Sequence, residues 1–480
     1  MRKENWTDEQ DVITYKDLFL SFVQTVYFRK LEISQKPGEH AALYLEAVLD
    51  SDLSENDFHA IPQTITVMYR KNGEDKPLFY GVLDTVHIDK DGAESVLRIE
   101  AWDATRLLDT DRKSRTFQNP QMTVRQLTDE IMKPYPGADY KIHIPDVPIG
   151  QLITQYEETD WEFLKRFFSK YHETLYPDPA FDAVRWQTGG SSVPEVWNWD
   201  MLPFELKQDF MDLNARRENG FESLTCAQNV GYYVETYDIA TLGNQIFYKG
   251  TEWAVASLER TLKNGLLLNS YCLKKKEGLR VLSYYNPRIT GISIDGTVKA
   301  VSRDKVQVNM GLDAGGGDNG YWFPFSTVAS SSDGSGWYCM PEAGESIRVY
   351  FPVDDEKEAY VITSIKGHEP EAGNSADPMG NPNVRSIQTE QGNQVQFTEE
   401  GVVIAAGEGQ GSIILGKSGE VVLDAVKDLT LSAGEAINIV ASNKVILSSQ
   451  TSVKIASLTG SDVELKKGEI SLHGQLINEN

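Results

Sequence analysis

From Val421 onward the sequence reads in blocks of eight: VVLDAVKD (421–428), LTLSAGEA (429–436), INIVASNK (437–444), VILSSQTS (445–452) and VKIASLTG (453–460). Each block opens with two apolar residues separated by one other residue. Such alternation predicts a short β-strand with both apolar side chains on one face. The rest of each block is mostly small, polar or turn-forming. A fixed period indicates one structural unit that is repeated along an axis.

The apolar openings define the ladder positions. They are Ile413, Leu415, Val421, Leu423, Leu429, Leu431, Ile437, Ile439, Val445, Leu447, Val453 and Ile455. Strands this short need neighbours to form a stable sheet. A single chain could coil into a solenoid, but a solenoid coil usually needs a longer repeat. One strand and one corner in each block suit a three-sided prism shared by three chains, so the period favours a homotrimer with cyclic symmetry. We expect the ladder to begin near Asn393, with Val395, Phe397 and then Val403.

Composition and charge narrow the classes of function. The chain has 480 residues, of which 40% are hydrophobic and 24% charged, as in soluble globular proteins of several domains. Its formal net charge of −25 argues against binding to nucleic acid, whose phosphates need a basic face. The same charge argues against electrostatic attraction to anionic lipid.

Cysteine usage and the chain start carry little functional signal. Cys226, Cys272 and Cys339 form no CxxC pair, so the sequence predicts neither a disulfide framework nor a zinc knuckle. We expect all three to be reduced and buried. The first residues, MRKENWTDEQD, lack the apolar core of a signal peptide, and no apolar run approaches the ~20 residues of a membrane span. We therefore expect synthesis in the cytoplasm without a signal peptide.

The sequence before the ladder predicts a mainly β protein of several domains. We expect a small β-barrel over residues 1–115, a mixed α/β region over 116–221 and a second small β-barrel over 222–286. An OB-type barrel over 287–368 and a linker over 369–392 follow, and the ladder occupies 393–480. Aromatic residues in the OB-type barrel would suit stacking on single-stranded nucleic acid, but no basic groove is evident, so we interpret this barrel as a structural adaptor.

Two helices are expected in the mixed region, with Thr123 as the N-cap of the first and Thr159 or Asp160 as the cap of the second. Glu157, Glu158 and Asp160 raise the question of catalysis. Carboxylates at a helix start are far more often capping groups, so we predict no catalytic residues. A calcium site at residues 313–318 (DAGGGD) is a weaker idea than a hairpin between barrel strands.

Two further segments, YEETDWEFLKR (156–166) and MPEAGESIRVYF (340–351), carry a resemblance together with the octads and the order of domains. These features resemble VgrG-type spike proteins of contractile injection systems. The segment YEETDWEFLKR (156–166) is similar to the Y-x-E-[ST]-D-x-x-F-L-x-R helix start of the family's hub region. The segment MPEAGESIRVYF (340–351) resembles the P-x-x-G-x-x-V-x-V-x-F strand of its OB-fold barrel. The octads match the family's triple-stranded needle, and the order of domains covers essentially the whole chain.

This resemblance implies a multi-domain hub of two small β-barrels with an α/β insert, an OB-fold barrel, and a C-terminal intertwined trimeric β-helix or prism. It implies a structural homotrimer that mounts on a tail tube through Hcp-like and baseplate proteins and pierces a target envelope, making transient contact with the target membrane. A PAAR-like protein at the tip and effectors are further implied partners, and no cofactor is expected. The chain shows no lysozyme insert and no C-terminal toxin, so we expect no enzyme.

The sequence departs from the family at the needle. Its octads lack a regular glycine, and its tip offers His473 in place of the H-x-H pair that holds a metal in related needles. Three copies of His473 at the trimer axis are a weak metal candidate, and a surface or packed histidine is favoured. The alternative function is a β-helical carbohydrate-binding or carbohydrate-degrading protein, which needs clustered acids on one face. The acids are instead scattered in phase; they are Asp424, Asp428, Glu435, Asp462 and Glu464.

Overall fold

β-Strands are far more common than helices in the part of the chain that the structure describes, so the predicted mainly β class is confirmed. The structure, a computed structural model, describes residues 12–52, 58–189, 197, 199–312, 320–330, 337–364, 381–407, 409–458 and 460–476. Two compact units are present, residues 1–367 and residues 368–480. The first contains the predicted barrels and α/β region, and the second contains the ladder. The candidate calcium segment 313–318 and the first part of the linker, 369–380, lie outside the described residues.

The strands of the first unit are β1 (Leu18–Leu20), β2 (Thr25–Gln35), β3 (Ala42–Leu49), β4 (Thr64–Lys71), β5 (Glu74–Asp91), β6 (Glu94–Asp103), β7 (Lys113–Phe117), β8 (Asp139–Ile142), β9 (Ile153–Glu158), β10 (Leu175–Pro177), β11 (Arg185–Thr188), β12 (Phe204–Lys207), β13 (Gly231–Thr236), β14 (Gln245–Tyr248), β15 (Thr251–Lys263), β16 (Leu266–Lys274), β17 (Ser293–Ser302), β18 (Lys305–Asn309), β19 (Trp322–Pro324), β20 (Ser346–Tyr350) and β21 (Tyr360–Ser364). The helices are α1 (Val124–Met132), α2 (Asp160–Ser169), α3 (Phe210–Glu218), α4 (Cys226–Asn229) and α5 (Lys276–Leu279). Short 3-10 turns span Ala104–Asp109, Pro287–Ile289 and Glu356–Glu358.

One open sheet replaces the two small barrels that the sequence predicts. Its eleven strands follow the order β1-β4-β5-β6-β3-β2-β15-β16-β13-β12, with β14 attached to β15. The two halves join where β2 pairs antiparallel with β15, with Gln35 opposite Leu258 and Glu32 opposite Thr261. Because this pairing gives the edges of β2 and β15 hydrogen-bond partners, neither half has to close into a barrel to cover these edges.

Each half of this sheet covers its own apolar core. In β3 the side chains of Leu43, Leu45 and Ala47 are buried at every second position, as the alternation of strand side chains requires. They pack with residues of β2, β4, β5 and β6. A second core forms on the other half around Trp199 and Tyr271, whose rings stack 5.1 Å apart.

The α/β region contains the two helices that the sequence predicts. The side chain of Thr123 accepts a hydrogen bond from the backbone of Gln126, and the Gln126 side chain accepts one from the backbone of Thr123, which completes a capping box at the start of α1. Thr159 forms the same arrangement with Glu162 at the start of α2. The predicted cap at Thr159 or Asp160 is thus confirmed as Thr159. The apolar face of α2 packs into a core with Phe117.

The predicted OB-type region forms a five-stranded sheet in the order β19-β18-β17-β20-β21. An isolated bridge between Phe325 and Val361 brings the two ends of this sheet together. Phe323 is fully buried in its core, whereas Trp322 and Trp337 are exposed. The assignment as an OB fold stays a prediction.

Cysteine positions correct one expectation. All three are free thiols, but only Cys272 is buried, and Cys226 and Cys339 are exposed. Separately, none of the helices in the described parts of the chain has the length and apolarity needed to cross a membrane.

A buried ion cluster connects helix α2 to the five-stranded sheet. Arg166 on α2 donates two hydrogen bonds of 2.7 Å to the carboxylate of Glu158 at the end of β9. It also contacts Glu356, between β20 and β21, at 3.1 Å, and Lys170 contacts the same Glu356 oxygen at 3.0 Å. Arg166, Glu158 and Glu356 are nearly inaccessible to solvent. Removing one member therefore leaves a buried charge without compensation.

We predict that Arg166→Met lowers the free energy of unfolding by about 3–5 kcal/mol, because Glu158 and Glu356 then lose their shared cation in the interior. Urea unfolding of the full-length chain measures the change. Arg348→Met is the control: Arg348 pairs with Asp295 at 2.9 Å on the surface, where such pairs contribute about 0–1 kcal/mol. Equal effects of the two substitutions would contradict the prediction.

The second unit contains strands β22 (Arg385–Gln388), β23 (Gln394–Thr398), β24 (Gly401–Ala406), β25 (Gly411–Gly416) and β26 (Val421–Ala425), then β27 (Ser452–Ala456), β28 (Asp462–Lys466) and β29 (Glu469–His473). Strands β22 to β26 form an antiparallel meander in chain order, which we call the meander sheet. Strands β27 to β29 form the C-terminal sheet. The predicted linker over 369–392 is thus too long, because β22 pairs with β23 and belongs to the meander sheet.

Candidate functional site

Within the stretch between these two sheets, the segment of residues 427–450 contains the ladder positions of three octads but no strand. Its backbone groups form no backbone–backbone hydrogen bond with any part of the chain that the structure describes. Its ladder positions are all more than half exposed; they are Leu429, Leu431, Ile437, Ile439, Val445 and Leu447. Apolar side chains and backbone polar groups are thus left uncovered together, as in a strand that lacks its neighbours.

The meander sheet has one apolar face. Cross-strand pairing places residues in two rows on this face, because directly opposed residues in neighbouring strands point to the same side. One row is Ile387, Val395, Ile404, Ile413 and Leu423, and the other is Arg385, Phe397, Val402, Leu415 and Val421. Most of these apolar side chains are exposed, and Val395 and Val402 are partly buried. The only charge in the two rows is that of Arg385, on the edge strand.

The opposite face of the meander sheet is more polar. Its rows are Ser386, Gln396, Val403, Ile414 and Val422, and then Gln388, Gln394, Ala405, Ser412 and Asp424. The sequence-based expectation that Val403 continues the ladder is therefore wrong, because Val402 lies on the apolar face. Tight packing sets the register at Gly401, where a Cβ would lie 2.1 Å from the carbonyl oxygen of Leu415.

The C-terminal sheet separates apolar and charged residues in the same way. One face carries Val453, Ile455, Val463, Leu465, Ile470 and Leu472. The other face carries His473, Asp462 and Lys454. Asp462 contacts both His473 and Lys454 at 3.0 Å. This register places His473 opposite the apolar face, which favours the surface role over the weak metal candidate at a trimer axis. Among the residues placed by the structure, no group of three His, Cys, Asp or Glu side chains could hold a metal ion.

The twelve ladder positions therefore fall in three settings. Ile413, Leu415, Val421 and Leu423 lie on the apolar face of the meander sheet, and Val453 and Ile455 lie on that of the C-terminal sheet. The six between them lie in the uncovered octads. Sequence reasoning missed the contribution of Ile387, Val402 and Ile404 to the same face. The turn residues 417–420 between two apolar runs could have indicated a hairpin.

The acids near the start of α2 have structural partners. Asp160 is fully buried and accepts hydrogen bonds from Lys113 at 2.6 Å, Tyr135 at 2.7 Å and Gln155 at 3.0 Å. Arg115 also pairs with it. Burial, together with the hydrogen bond to Asp160, raises the pKa of Tyr135. Glu158 is bound by Arg166, so both carboxylates have structural roles, but as ion-pair partners and not as the predicted capping groups. The cap itself is formed by Thr159 and Glu162.

One buried acid–base pair has strongly shifted pKa values. Burial raises the pKa of Asp103 to about 7 and lowers the pKa of His40 to about 4. The hydroxyl of Thr105 lies between them, 2.6 Å from Asp103 and 2.8 Å from the Nδ1 of His40. The ring of His40 stacks on Trp161, with ring centres 4.5 Å apart. Surface cavities of about 760 and 480 Å³ are lined by other residues.

Comparison with known proteins agrees with this architecture. Residues 41–171 match the family described as phage tail baseplate hub. The matched stretch includes β3 to β9, the helices α1 and α2, and the whole Tyr156–Arg166 motif. No curated protein has a matching sequence.

Two solved structures share the fold. An Escherichia coli protein, described as a component of the type VI secretion system with similarity to the T4 bacteriophage tail proteins gp27 and gp5, has a TM-score of 0.53 at 12% identity. The match covers 73% of this chain and 99% of that one. A chain of the Francisella PdpA–VgrG complex has a TM-score of 0.50 at 9% identity, with 83% of each chain covered. The resemblance to hub-and-spike proteins of the VgrG type is therefore confirmed for the fold.

We predict that His40 and Asp103 oppose each other in the pH dependence of stability. Asp103 has a raised pKa in the folded protein, so its contribution to stability is lost as the pH rises from about 4 to about 7. His40 has a lowered pKa, so its contribution is lost as the pH falls from 6.5 to about 4. Asp103→Asn should therefore lose stability as the pH falls from about 7 to about 4, because only the contribution of His40 remains. His40→Gln should gain stability over the same pH range, because only the contribution of Asp103 remains.

Urea unfolding at several pH values between 4.5 and 7.5 measures both slopes. Each group contributes at most about 1.4 kcal/mol per pH unit. Parallel pH profiles of the two variants would refute the assignment.

Proposed function

We propose that this chain is the structural subunit of a homotrimeric hub and spike in a contractile injection apparatus of the type VI secretion or phage-tail kind. The observation that carries the proposal is the uncovered ladder of residues 427–450. Three interwound chains satisfy its backbone groups and bury its apolar pairs at once, because each chain supplies the neighbour that another chain lacks.

The hub fold supports mounting on a tail tube. The eleven-stranded sheet of each chain consists of two β units joined where β2 pairs with β15. Three chains then present six such units, which matches a threefold spike to a tube of sixfold symmetry. An Hcp-like tube protein and baseplate proteins are the partners of this end, and a PAAR-like cap and effectors are partners of the spike. The subunit is made in the cytoplasm, assembled into the apparatus and delivered outward through the target envelope.

The octads suit the mechanical part of this role. Interchain pairing leaves few strand edges free. Unfolding then requires three chains to unwind together, which makes the shaft kinetically stable.

The alternative of a β-helical carbohydrate-binding or carbohydrate-degrading protein has no comparable support. Asp462 is paired with Lys454 and His473, and Glu464 contacts Lys466 at 3.0 Å. Asp424 lies on the opposite, mixed face of the meander sheet. These acids do not converge on one site among the described residues. The family and fold comparisons are those of structural tail proteins.

We predict that the full-length chain has three times its 53.7 kDa mass in solution. Multi-angle light scattering coupled to size exclusion measures it over a range of concentrations. A stable monomer would refute the proposed function.

We predict that Ile439→Asp weakens the trimer at least tenfold, because the substitution moves a carboxylate into the interface between chains. Asn438→Asp is the control, since residue 438 lies between the two ladder positions of its octad and points away from them in an extended chain. The concentration at which each variant dissociates gives the comparison. If both variants dissociate alike, the ladder positions are not the contact.

A further inference from the structure

We propose that the meander sheet and the C-terminal sheet set the register of the three chains by packing their apolar faces against the same faces of the two other copies. This inference rests on the proposed function, because it assumes that three copies associate. It assigns different roles to the octads and to the two sheets of the second unit. The octads supply backbone pairing between chains, and the sheets at either end decide which octad meets which.

The octads alone cannot fix the register. A slip of one whole block places Leu429 and Leu431 where Ile437 and Ile439 stood, so apolar residues replace apolar residues. A weakly specified register invites slippage between strands. The −25 charge of each chain adds repulsion between copies but does not select one alignment over another. Another part of the chain must therefore distinguish the aligned state from the slipped one.

The meander sheet can make that distinction. Its strands pair antiparallel within one chain, and the apolar positions of β22 to β24 do not follow the eight-residue spacing of the octads. Its two apolar rows form a patch of fixed outline with Ile404 and Ile413 directly opposed at its centre. A slip by one block moves this patch away from its counterparts in the other chains and returns its side chains to water.

Two properties of the apolar face identify what covers it: its continuity with the ladder and its near absence of charge. Ile413, Leu415, Val421 and Leu423 belong both to the apolar face and to the ladder, so the surface that covers the octads extends over the sheet without a break. The face carries a single charge, at its edge. A second and a third copy of this chain present the same uncharged surface around a threefold axis.

The C-terminal sheet repeats the arrangement at the other end. Its apolar face follows directly from Val453 and Ile455 of the ladder, and all of its charges lie on the opposite face. The octads are thus held between two sheets whose outer strands, β22 to β24 and β28 to β29, depart from the octad spacing. Both ends must be aligned for both apolar faces to be covered.

A matched pair of double variants tests the proposal in the full-length protein. Ile404→Asp with Ile413→Asp changes a cross-strand pair on the apolar face, and Val403→Asp with Ile414→Asp changes the adjacent cross-strand pair on the opposite face. A spin label at Ser432→Cys, in a background of Cys226→Ser and Cys339→Ser, reports distances between chains by electron–electron double resonance. Cys272 is buried and is retained.

In-register chains give one narrow distance, because three labels related by a threefold axis are equidistant. The apolar-face variant should give several distances or dissociate, whereas the opposite-face variant should keep the single distance. The same single distance in both variants, or dissociation of both, overturns the inference. A monomeric parent protein would instead refute the proposed function, so the two failures are distinguishable.

Deletion of one octad, residues 437–444, provides a second test that leaves both sheets intact. The trimer should persist with a single narrow distance, because the end sheets still meet in register. Loss of the trimer, or several distances, would show that the octads and not the end sheets select the alignment.

Discussion

Every backbone amide and carbonyl in a buried strand needs a hydrogen-bond partner, and residues 427–450 have none among the backbone groups described in their own chain. Ladder side chains such as Leu431 and Ile439 are exposed over the same stretch. The conflict has a simple resolution, since other copies can supply both the partners and the cover. The organisation of the second unit follows from this requirement, with two sheets whose strands pair within one chain on either side of a segment whose backbone has no such pairing.

The first unit shows the opposite balance. Its strands pair with one another, and its sheets and helices bury their apolar side chains within one chain. Three charged residues of the Tyr156–Arg166 motif are internal: Asp160 is held by Lys113 and Tyr135, and Arg166 is held between Glu158 and Glu356. Charged residues that could suggest acid–base catalysis in the sequence therefore connect secondary-structure elements. The ion cluster around Arg166 is the joint between α2 and the five-stranded sheet.

Local signals predicted part of this fold. The caps at Thr123 and Thr159 follow from side-chain chemistry within four residues, and the octads follow from an apolar period, so both could be read directly. Pairing between distant strands could not. Nothing near Gln35 or Leu258 indicates that β2 and β15 join two halves into one sheet, because that contact spans more than two hundred residues. The face of each meander strand depends on a one-residue choice, as Val402 and Val403 illustrate.

The octads also bear on how such a protein can change over time. A segment whose repeats are interchangeable, enclosed by two sheets that are not, can gain or lose whole repeats while its ends stay the same. The length of this segment is then a heritable trait that varies in steps of eight residues, independently of the two sheets that enclose it. An insertion of any other size would put strand faces out of phase, so selection should discard it.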